Sequence, residues 1–336
     1  MLLYSDYSLK PLNTFNIDAK SEIYFEVSDK QDIDSFIRKR KYFEMPRLII
    51  GNGSNILFTK DYKGVVLKNS LKGIDIQVDA DDYVLVRVAS GESFDEFAFT
   101  CARKRYCGIE NLSGIPGSVG GAVVQNIGAY GQEIKNLVEE VEYYDFSTFE
   151  FNKIKGEDCK FGYRDSIFKH ELSENVLITS VTFRLSKKFE PMLTYGHLDE
   201  AVKDIPVLTP MLLRKTILSI RDSKIPDYKQ FGNAGSFFKN PELTKAAAKK
   251  ITEQFPEVKT FDLENGNVKI PAGQLIDLCG FKQDNDEKVG VAENNALIVF
   301  NRGNAKGKDV LAFAKKIEKT VKDKFGVKLE PEVVIC

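Results

Sequence analysis

The longest stretch of this chain without a charged side chain lies between Glu110 and Glu133, and it most constrains what the chain can fold into. The stretch is long enough to cross a bilayer, yet it contains six glycines, one proline and two asparagines. So many glycines are costly in a regular helix or strand, because each loses much backbone entropy on folding. A surface loop would instead be polar and charged. The stretch therefore predicts a backbone wrapped around a large buried ligand, and backbone amides of this kind can hold a diphosphate without a lysine or a Mg²⁺ site.

A second glycine-rich loop, GNGSN at 51–55, follows the apolar run 47–50. Its small residues let backbone amides approach phosphate oxygens. The loop is not a dinucleotide-binding fingerprint, because Ile56 stands where the third glycine belongs and no helix pattern follows. Taken alone, a plain turn after a strand is an equal alternative. The segment 303–308 resembles a P-loop only superficially, since its spacing is one residue short, and it predicts the start of a helix.

Charge and composition exclude several classes of protein. A length of 336 residues suggests about two domains, and 43% hydrophobic with 29% charged residues is ordinary for a globular chain. The 48 basic and 49 acidic side chains give a net charge of −1, which argues against nucleic-acid and membrane partners. The five cysteines and two histidines lack metal-ligand spacing, and the N-terminus has no signal-peptide pattern. We therefore expect free thiols, no metal site and a cytoplasmic protein.

Hydrophobic periodicity predicts a mixture of helices and strands. The predicted helices are 30–44 (with Ser28 or Asp29 as its cap), 93–105, 208–221, 242–254, 272–279 and 306–325. The predicted strands are 47–50, 83–88, 176–185 and 327–335. A domain boundary is expected near 187–191, where the strand-rich half ends. Because helices and strands do not alternate regularly, the predicted fold class is α+β and not a doubly wound sheet.

Seven segments, in order along nearly the whole chain, resemble the family of UDP-N-acetylenolpyruvoylglucosamine reductases, within the wider group of FAD-binding proteins of the vanillyl-alcohol-oxidase type. These segments are NTFNIDA (13–19), GNGSNIL (51–57), GIPGSVGGAVVQNIGAYG (114–131), FGYRDSIFK (161–169), GNAGSFFKNP (232–241), PAGQLID (271–277) and LEPEV (329–333). A tyrosine-containing turn at 193–196 is similar to that of type I members.

The resemblance implies a division of the α+β chain into two domains. It implies an FAD-binding domain at 1–187, made of α+β subdomains at about 1–70 and 71–187. An α+β substrate-binding domain would follow at 188–336. The last strand, 327–335, is a candidate to return to the FAD-binding domain.

The resemblance also implies an activity. A family member uses FAD and NADPH to reduce UDP-N-acetylglucosamine enolpyruvate to UDP-N-acetylmuramate in peptidoglycan precursor synthesis, and it is expected to be a monomer. The FAD should be non-covalent, because the glycine-rich loops contain no His or Cys, and NADPH should share the substrate's site, because no second nucleotide fingerprint is present. Two alternatives stay open. One is an FAD-dependent oxidase of the same superfamily, and the other is a non-catalytic protein that binds a UDP-sugar or flavin.

Site residues follow from the resemblance position by position. The catalytic residues are Arg164, Ser236 and Glu332. The FAD-binding residues are Gly51, Asn52, Gly53, Ser54, Asn55, Pro116, Gly117, Ser118, Val119, Gly120, Gly121, Asn126, Gly128, Ala129, Tyr130 and Gly131. The substrate-binding residues are Tyr163, Tyr195, Lys224, Asn240 and Asn295, and no metal ligand is expected. The sequence departs from the family pattern at Tyr228, which stands where a proline is usual, and around 292–297.

The residue types suit this chemistry, although each has a plainer alternative. The Arg164 guanidinium can fork onto a carboxylate as charge develops there, or it can form a surface ion pair with Asp165. Glu332 can donate a hydrogen bond only in its protonated form, which an apolar or anionic surrounding favours; alternatively it is a strand-end carboxylate. Ser236 can protonate a strongly basic carbanion, or its hydroxyl can simply bond to backbone. Lys224 can bind a diphosphate or carboxylate, or end a solvated helix.

Overall fold

The computed structural model describes residues 2–173, 175–284 and 286–336. Its strands are β1 (Leu2–Ser8), β2 (Lys20–Val27), β3 (Arg47–Ile50), β4 (Ile56–Leu57), β5 (Tyr62–Asn69), β6 (Ile74–Asp79), β7 (Tyr83–Ala89), β8 (Gly128–Ala129), β9 (Gln132–Glu133), β10 (Val138–Asp145), β11 (Glu150–Lys155), β12 (Val176–Ser186), β13 (Gly232–Ser236), β14 (Glu242–Leu243), β15 (Phe261–Asp262), β16 (Val268–Lys269), β17 (Val289–Ala292), β18 (Asn295–Asn301) and β19 (Val334–Ile335).

Its α-helices are α1 (Lys30–Ile37), α2 (Arg40–Phe43), α3 (Phe94–Lys104), α4 (Val119–Val124), α5 (Leu198–Val202), α6 (Pro210–Lys224), α7 (Lys245–Gln254), α8 (Ala272–Leu278) and α9 (Gly307–Phe325). The α+β prediction is confirmed. Asp29 caps α1 through a capping box with Asp32, as the sequence suggests. Helix α9 begins at Gly307, so the segment 303–308 is the start of a helix, as predicted.

Two sequence predictions about elements are wrong. The single helix predicted over 30–44 is broken after Ile37. In a continuous helix, residues seven apart lie about 10 Å apart along the axis, whereas here the Phe36 and Phe43 rings lie 5.7 Å apart and both pack against Phe146. The strand predicted over 327–335 is reduced to Val334–Ile335.

The chain divides into two compact units. Unit 1 comprises Met1–Tyr7, Ser21–Gly53 and Tyr62–Arg221, of which Met1 and Glu174 lie outside the described residues. It contains a four-stranded sheet in the order β1-β2-β5-β3 and a five-stranded sheet in the order β11-β10-β12-β7-β6. Strands β2 and β3 pair parallel to β5, whereas the second sheet is antiparallel in every pair.

The core of unit 1 is built from alternating strand residues and the apolar faces of two helices. Phe94 and Phe97 of α3 are buried against Val86 and Phe183, which lie on β7 and β12. Val123 of α4 joins the same cluster. Because α4 is short and glycine-rich, its position depends on this packing more than on helix propensity.

Unit 2 comprises Ser8–Lys20, Ser54–Asp61 and Asp222–Cys336. It contains the antiparallel sheet β13-β18-β17, the small sheet β14-β16-β15 and the parallel pair β19-β4. Helices α8 and α9 contact β18, and α9 also contacts β17. The last strand therefore pairs with a segment from early in the chain, residues 56–57, that belongs to the same unit.

The two units divide the chain later than the boundary expected near 187–191. Residues 188–221 stay in unit 1, and four of their apolar side chains form a buried cluster: Leu198, Val202, Leu213 and Ile217. Leu213 and Ile217 of α6 form a cluster into which Tyr130 also packs, and Arg214 forms a buried ion pair with Asp95. Among the described residues, no helix is long and apolar enough to span a membrane.

Candidate flavin and substrate site

The two glycine-rich loops predicted to hold the cofactor meet in unit 1. A Cβ on Gly51 would collide with the Ser118 hydroxyl, so only glycine allows this approach of the first loop to the second. Gly53 has φ +62° and Gly117 has φ +130°, conformations that favour glycine. The first loop continues out of unit 1 after Gly53, and its last two residues, Ser54 and Asn55, belong to unit 2.

The second loop leads directly into helix α4. The Ser118 hydroxyl caps the helix by accepting from the Gly121 amide at 3.2 Å. The Gly120 amide donates to the Ser90 carbonyl at 2.8 Å, and a Cβ on Gly120 would lie 2.9 Å from the Ser90 Cβ. The backbone of this loop is thus packed at close quarters on one side. Glycine is required here because Ser118 and Ser90 occupy the space that a Cβ on Gly51 or Gly120 would take. Glycine-rich loops of this kind form a cradle that fits a diphosphate held by main-chain N–H groups.

The third cofactor segment, from Asn126 to Gly131, is held by its first residue. Asn126 is fully buried, has φ +42°, and donates to the Gly162 carbonyl at 2.7 Å. Its side-chain oxygen also accepts from the Lys135 amide at 3.2 Å. One asparagine therefore ties the cofactor segment to the motif that contains Arg164.

Arg164 lies in a tight turn beside that segment. Its guanidinium donates to the Gly128 carbonyl at 2.8 Å and stacks over the Tyr163 ring at 5.0 Å. Its φ of +55° is unusual for a residue with a side chain, and Lys169 holds its carbonyl at 2.8 Å. The structure thus brings two predicted site residues, Tyr163 and Arg164, against the predicted FAD segment.

Asp165, the alternative partner considered for Arg164, pairs with His170. The His170 ring lies 2.8 Å from the Asp165 carboxylate. Burial raises the pKa of Asp165, but the hydrogen bonds from His170 and from the Ser166 amide lower it overall. The Ser166 hydroxyl is buried and donates to the Val124 carbonyl at 2.8 Å. This bond fixes the turn to the C-terminal end of α4.

The tyrosine turn at 193–196 packs against the end of the third cofactor segment. A Cβ on Gly196 would lie 2.9 Å from the Tyr130 ring, and one on Gly131 would lie 3.4 Å from the Tyr195 Cβ. Asn111 is buried and donates at 2.8 Å both to the Tyr130 carbonyl and to the Met192 carbonyl. The Tyr195 side chain itself is 48% exposed. The turn is therefore fixed at its base while its tyrosine faces solvent.

Ser236 and Glu332, the other two predicted catalytic residues, lie close together in the fold of unit 2. Ser236 ends β13, and the next residue, Phe237, accepts from the Glu332 amide at 2.8 Å. Gly235, with φ +71°, lies in the irregular part of the β13–β18 pairing just before Ser236. Asn55 donates from its side chain to the Glu332 carbonyl at 3.1 Å. The segments GNAGSFF, LEPEV and the end of GNGSN thus meet here.

Three predicted substrate residues lie near the same sheet of unit 2. The Asn240 side chain accepts from the first amide of α8, that of Ala272, at 2.9 Å. Asn295 begins β18, and its side-chain oxygen lies 3.5 Å from where a Cβ on Gly273 would stand. Lys224 is exposed at the end of α6, where Asn294 donates to the Ser223 carbonyl at 2.8 Å. The structure therefore places Asn240 and Asn295 next to α8, and it places Lys224 near the residue that precedes β18.

Sequence reasoning missed two residues that organise the cofactor loops. Asn111 has no distinguishing signal, since it stands inside the charge-free stretch. Lys68 does have one, because it is a lysine that directly follows the apolar run 65–67 within β5. Its ammonium group donates to the Gly51 carbonyl at 2.7 Å. The described residues contain no cluster of three or more side chains able to hold a metal ion.

Comparison with known proteins identifies the family of this chain. The family model for an FAD-binding domain matches residues 21–148, and that for the C-terminal domain of UDP-N-acetylenolpyruvoylglucosamine reductase matches residues 226–336. The curated UDP-N-acetylenolpyruvoylglucosamine reductases of Chromobacterium violaceum and of Escherichia coli strain K12 are 40% and 39% identical to this chain. The alignment covers 98% of this chain in both cases, and 98% and 95% of the two relatives.

A solved structure shares the fold. The crystal structure of UDP-N-acetylenolpyruvylglucosamine reductase from Thermus caldophilus matches with a TM-score of 0.65 and 22% identity. The match covers 99% of this chain and 98% of that chain. At this identity the likeness speaks for the fold alone.

The fold and the match to an FAD-binding domain define an FAD-binding oxidoreductase of the vanillyl-alcohol-oxidase type. FAD is its cofactor and NADPH its co-substrate. At about 40% identity over the full length, the chain belongs to the UDP-N-acetylenolpyruvoylglucosamine reductase family, whose members serve peptidoglycan precursor synthesis.

Proposed function

We propose that this chain reduces UDP-N-acetylglucosamine enolpyruvate to UDP-N-acetylmuramate with NADPH, and that Arg164, Ser236 and Glu332 act on the enolpyruvyl unit. The observation that carries the proposal is the backbone hydrogen bond, 2.8 Å long, that joins the Ser236–Phe237 segment to Glu332. It holds two of the three proposed catalytic residues in one rigid part of unit 2. The family relationship supports the reaction itself.

The proposed cofactor site consists of the glycine cradle and its flanking residues. Gly51, Gly53 and Ser118 would bring their backbone close to the diphosphate. Gly120 and Gly121 would keep the loop in place, because their amides donate to the Ser90 carbonyl and the Ser118 hydroxyl. When bound, FAD supplies the relay of a hydride from NADPH to the substrate. The contribution of the chain at this site is to bind and orient the cofactor.

Arg164 is proposed to stabilise charge on the substrate carboxylate. Addition of hydride to the terminal methylene leaves an enolate-like charge on the carboxylate side of the double bond, which a cation stabilises as it develops. A guanidinium is suited to this role because it stays charged and forks onto two oxygens. The bond of Arg164 to the Gly128 carbonyl fixes the guanidinium beside the proposed FAD segment.

Ser236 is proposed as the proton donor, and Glu332 as the group that orients it or the substrate. The reaction must end with a proton on the carbon that bears the carboxylate and the ether oxygen. A hydroxyl is a weak acid, so it protonates carbon only when the acceptor is a strongly basic carbanion. The adjoining Gly235 has open space around its Cα, which leaves room beside the hydroxyl for a ligand.

The remaining substrate contacts are proposed from the positions of polar side chains. Tyr195 and Lys224 would bind the diphosphate of the UDP-sugar, and Tyr163, Asn240 and Asn295 would contact the rest of the substrate. The exposure of Tyr195 supports a role in closing over the substrate, because its ring is not committed to the core.

The cellular setting is proposed from the sequence. The near-neutral charge and the ordinary composition support a cytoplasmic enzyme without nucleic-acid or membrane partners. The family relationship is the ground for proposing a monomer. The measurements that check the oligomeric state are light scattering and sedimentation of the purified holoenzyme.

The decisive experiment separates the two half-reactions in Ser236→Ala. Bleaching of the flavin by NADPH without oxygen needs no proton from Ser236, so its rate should stay close to wild type. Recovery of colour on adding the enolpyruvyl substrate should slow by about 10²–10⁴-fold, the usual worth of general acid catalysis. Ser236→Cys should restore part of this rate, because a thiol also carries a transferable proton.

The control and the rival functions are tested in the same assay. Ser35→Ala, which alters an exposed serine on α1, should leave both half-reactions unchanged. Equal losses in both half-reactions of Ser236→Ala would indicate a role in folding or flavin binding and refute proton donation. Production of hydrogen peroxide without need for NADPH would identify an oxidase, and tight binding of both ligands without turnover would identify a non-catalytic binder.

A further inference from the structure

Lys68 stands beside the first glycine loop in unit 1. It lies on β5, in register with Ile50, the last residue of β3 before the loop. Its ammonium nitrogen lies 2.7 Å from the Gly51 carbonyl oxygen and 3.1 Å from the Asn52 side-chain oxygen. Both acceptors are neutral, and both belong to the loop proposed to hold the diphosphate of FAD.

The charge of Lys68 is not neutralised by a carboxylate. None of the carboxylates in the described part of the chain forms an ion pair with Lys68 within 4.0 Å. Glu26 is its register neighbour on β2, yet the Glu26 carboxylate accepts from the Tyr24 hydroxyl at 3.1 Å. Burial, together with the like charge of Lys72, lowers the pKa of Lys68 to about 8. The negative charge of Glu26 opposes this shift. A cation in this position is costly unless an anion joins it.

We propose that Lys68 is a cofactor-binding residue that supplies the positive charge for the diphosphate at the Gly51–Asn52 loop. This inference rests on the proposed FAD site. It revises the expectation from the sequence, in which backbone amides alone hold the diphosphate. Two of the three ammonium N–H groups bind the loop in the structure, so one lysine can fix the loop and still direct a donor toward a phosphate oxygen. A diphosphate is the anion that this loop is suited to accept, because its amides and the lysine then act together.

The test compares three substitutions that separate charge from hydrogen bonding. Lys68→Met keeps the aliphatic stem without charge, Lys68→Gln keeps N–H donors without charge, and Lys68→Arg keeps both. The full-length protein is stripped of flavin and titrated with FAD, whose fluorescence reports the Kd. Lys68→Met and Lys68→Gln should both weaken FAD binding by about 10- to 100-fold, as expected for loss of a charged hydrogen bond. Lys68→Arg should stay within a few-fold of wild type.

Lys72→Met is the matched control. Lys72 also donates to a loop carbonyl, that of Gly91, at 2.7 Å, but it is exposed and pairs with Glu92. The Kd of the Lys72→Met variant for FAD should equal that of the wild-type protein. Circular dichroism and the melting temperature of each flavin-free variant establish that it is folded.

Several outcomes would overturn the inference. A wild-type Kd for Lys68→Met would show that Lys68 does not contribute to binding. A wild-type Kd for Lys68→Gln alone would reduce its role to hydrogen bonding of the loop, without a charge effect. Failure of the wild-type protein itself to bind FAD would refute the proposed function, and so is distinct from failure of this inference.

Discussion

Glu110 shows at the scale of one residue how burial changes the chemistry of a side chain. It is 4% exposed and accepts from the Gly108 amide at 2.7 Å. Its other carboxylate oxygen is buried without a hydrogen-bond partner among the described residues. Burial raises the pKa of Glu110 above its ordinary value of 4.5, although bonds from its own amide, from Gly108 and from Cys107 oppose the rise.

Glu110→Gln should therefore stabilise the protein at neutral pH. The folded-state pKa of Glu110 lies above its unfolded value, so its contribution to stability is complete below pH 4.5 and is lost as the pH rises through the folded-state pKa. Glutamine has no charge to desolvate, so the variant should gain about 1–2 kcal/mol at pH 7.5 and almost nothing at pH 4. Calorimetric melting at both pH values measures this. Glu150→Gln, at an exposed strand position, should show no comparable gain, and an equal effect at both pH values would contradict the argument.

At the scale of the element, the proposed cofactor loops depend on glycines that lie very close to neighbouring serines. Gly51 lies against Ser118, and Gly120 lies against Ser90. Helix α4 begins where Ser118 caps it and where Gly120 touches Ser90. The same logic applies to Gly53, whose positive φ a β-branched side chain resists. If these loops hold FAD as proposed, a change of backbone geometry at either glycine should also affect cofactor binding.

Gly120→Val and Gly53→Val should purify without colour. In the first, the added side chain must displace Ser90 or α4; in the second, the loop must leave its left-handed conformation. The ratio of flavin absorbance to protein absorbance should fall to near zero in both variants, compared with Val124→Ala in the same helix. Retention of one FAD per chain in both would refute the assignment of these loops.

Tyr195→Phe should raise the KM for the UDP-sugar substrate, by about 10-fold if one hydrogen bond to a charged phosphate is lost. The turn at 193–196 rests on Tyr130 and Gly131, but the hydroxyl of its tyrosine can reach a ligand from solvent. Reduction of the flavin by NADPH should be nearly normal, since the turn itself stays in place. Tyr4→Phe, on an equally exposed strand residue, provides the control. An unchanged KM would eliminate the role of Tyr195 in closure.

At the scale of the whole molecule, the residues proposed for FAD come from sequence positions far apart. Segments 51–53, 116–121 and 126–131 all belong to unit 1, whereas Ser54 and Asn55 belong to unit 2. A ligand that binds only when such distant segments are in place stabilises the folded state by mass action.

Removal of FAD should lower the melting temperature of the full-length protein. Free FAD at 100 times its Kd should stabilise the chain by about 2.7 kcal/mol, and the melting temperature should keep rising with the logarithm of FAD concentration. Calorimetry of the flavin-free protein with increasing FAD measures this. Treatment with EDTA should leave the melting temperature unchanged, since no metal site is expected. A melting temperature independent of FAD would argue against a cofactor bound only by the folded state.

The sequence by itself determined the fold class and the positions of the long elements, and it predicted the residues of the site. Periodicity located helix α3 and strand β12 to within about two residues. Each element turns one apolar face toward the core, and the regular spacing of that face can be recognised in the sequence. The charge-free stretch predicted a buried ligand, because six glycines would be costly in one continuous helix or strand. The residue-by-residue roles came from resemblance, not from any local pattern.

Only the tertiary structure decided which distant residues meet. It joined Lys68 to the Gly51 carbonyl and Asn111 to the Met192 carbonyl, which precedes the tyrosine turn. It also joined the Glu332 amide to the carbonyl that follows Ser236. It also kept residues 188–221 in unit 1 and broke the helix predicted over 30–44. The physical reason is the same in each case. Periodicity and turn chemistry act over a few residues. The contacts named here join residues that are 17 to about 100 positions apart in the sequence. Packing and hydrogen bonding between such distant residues select these contacts only once the chain has folded.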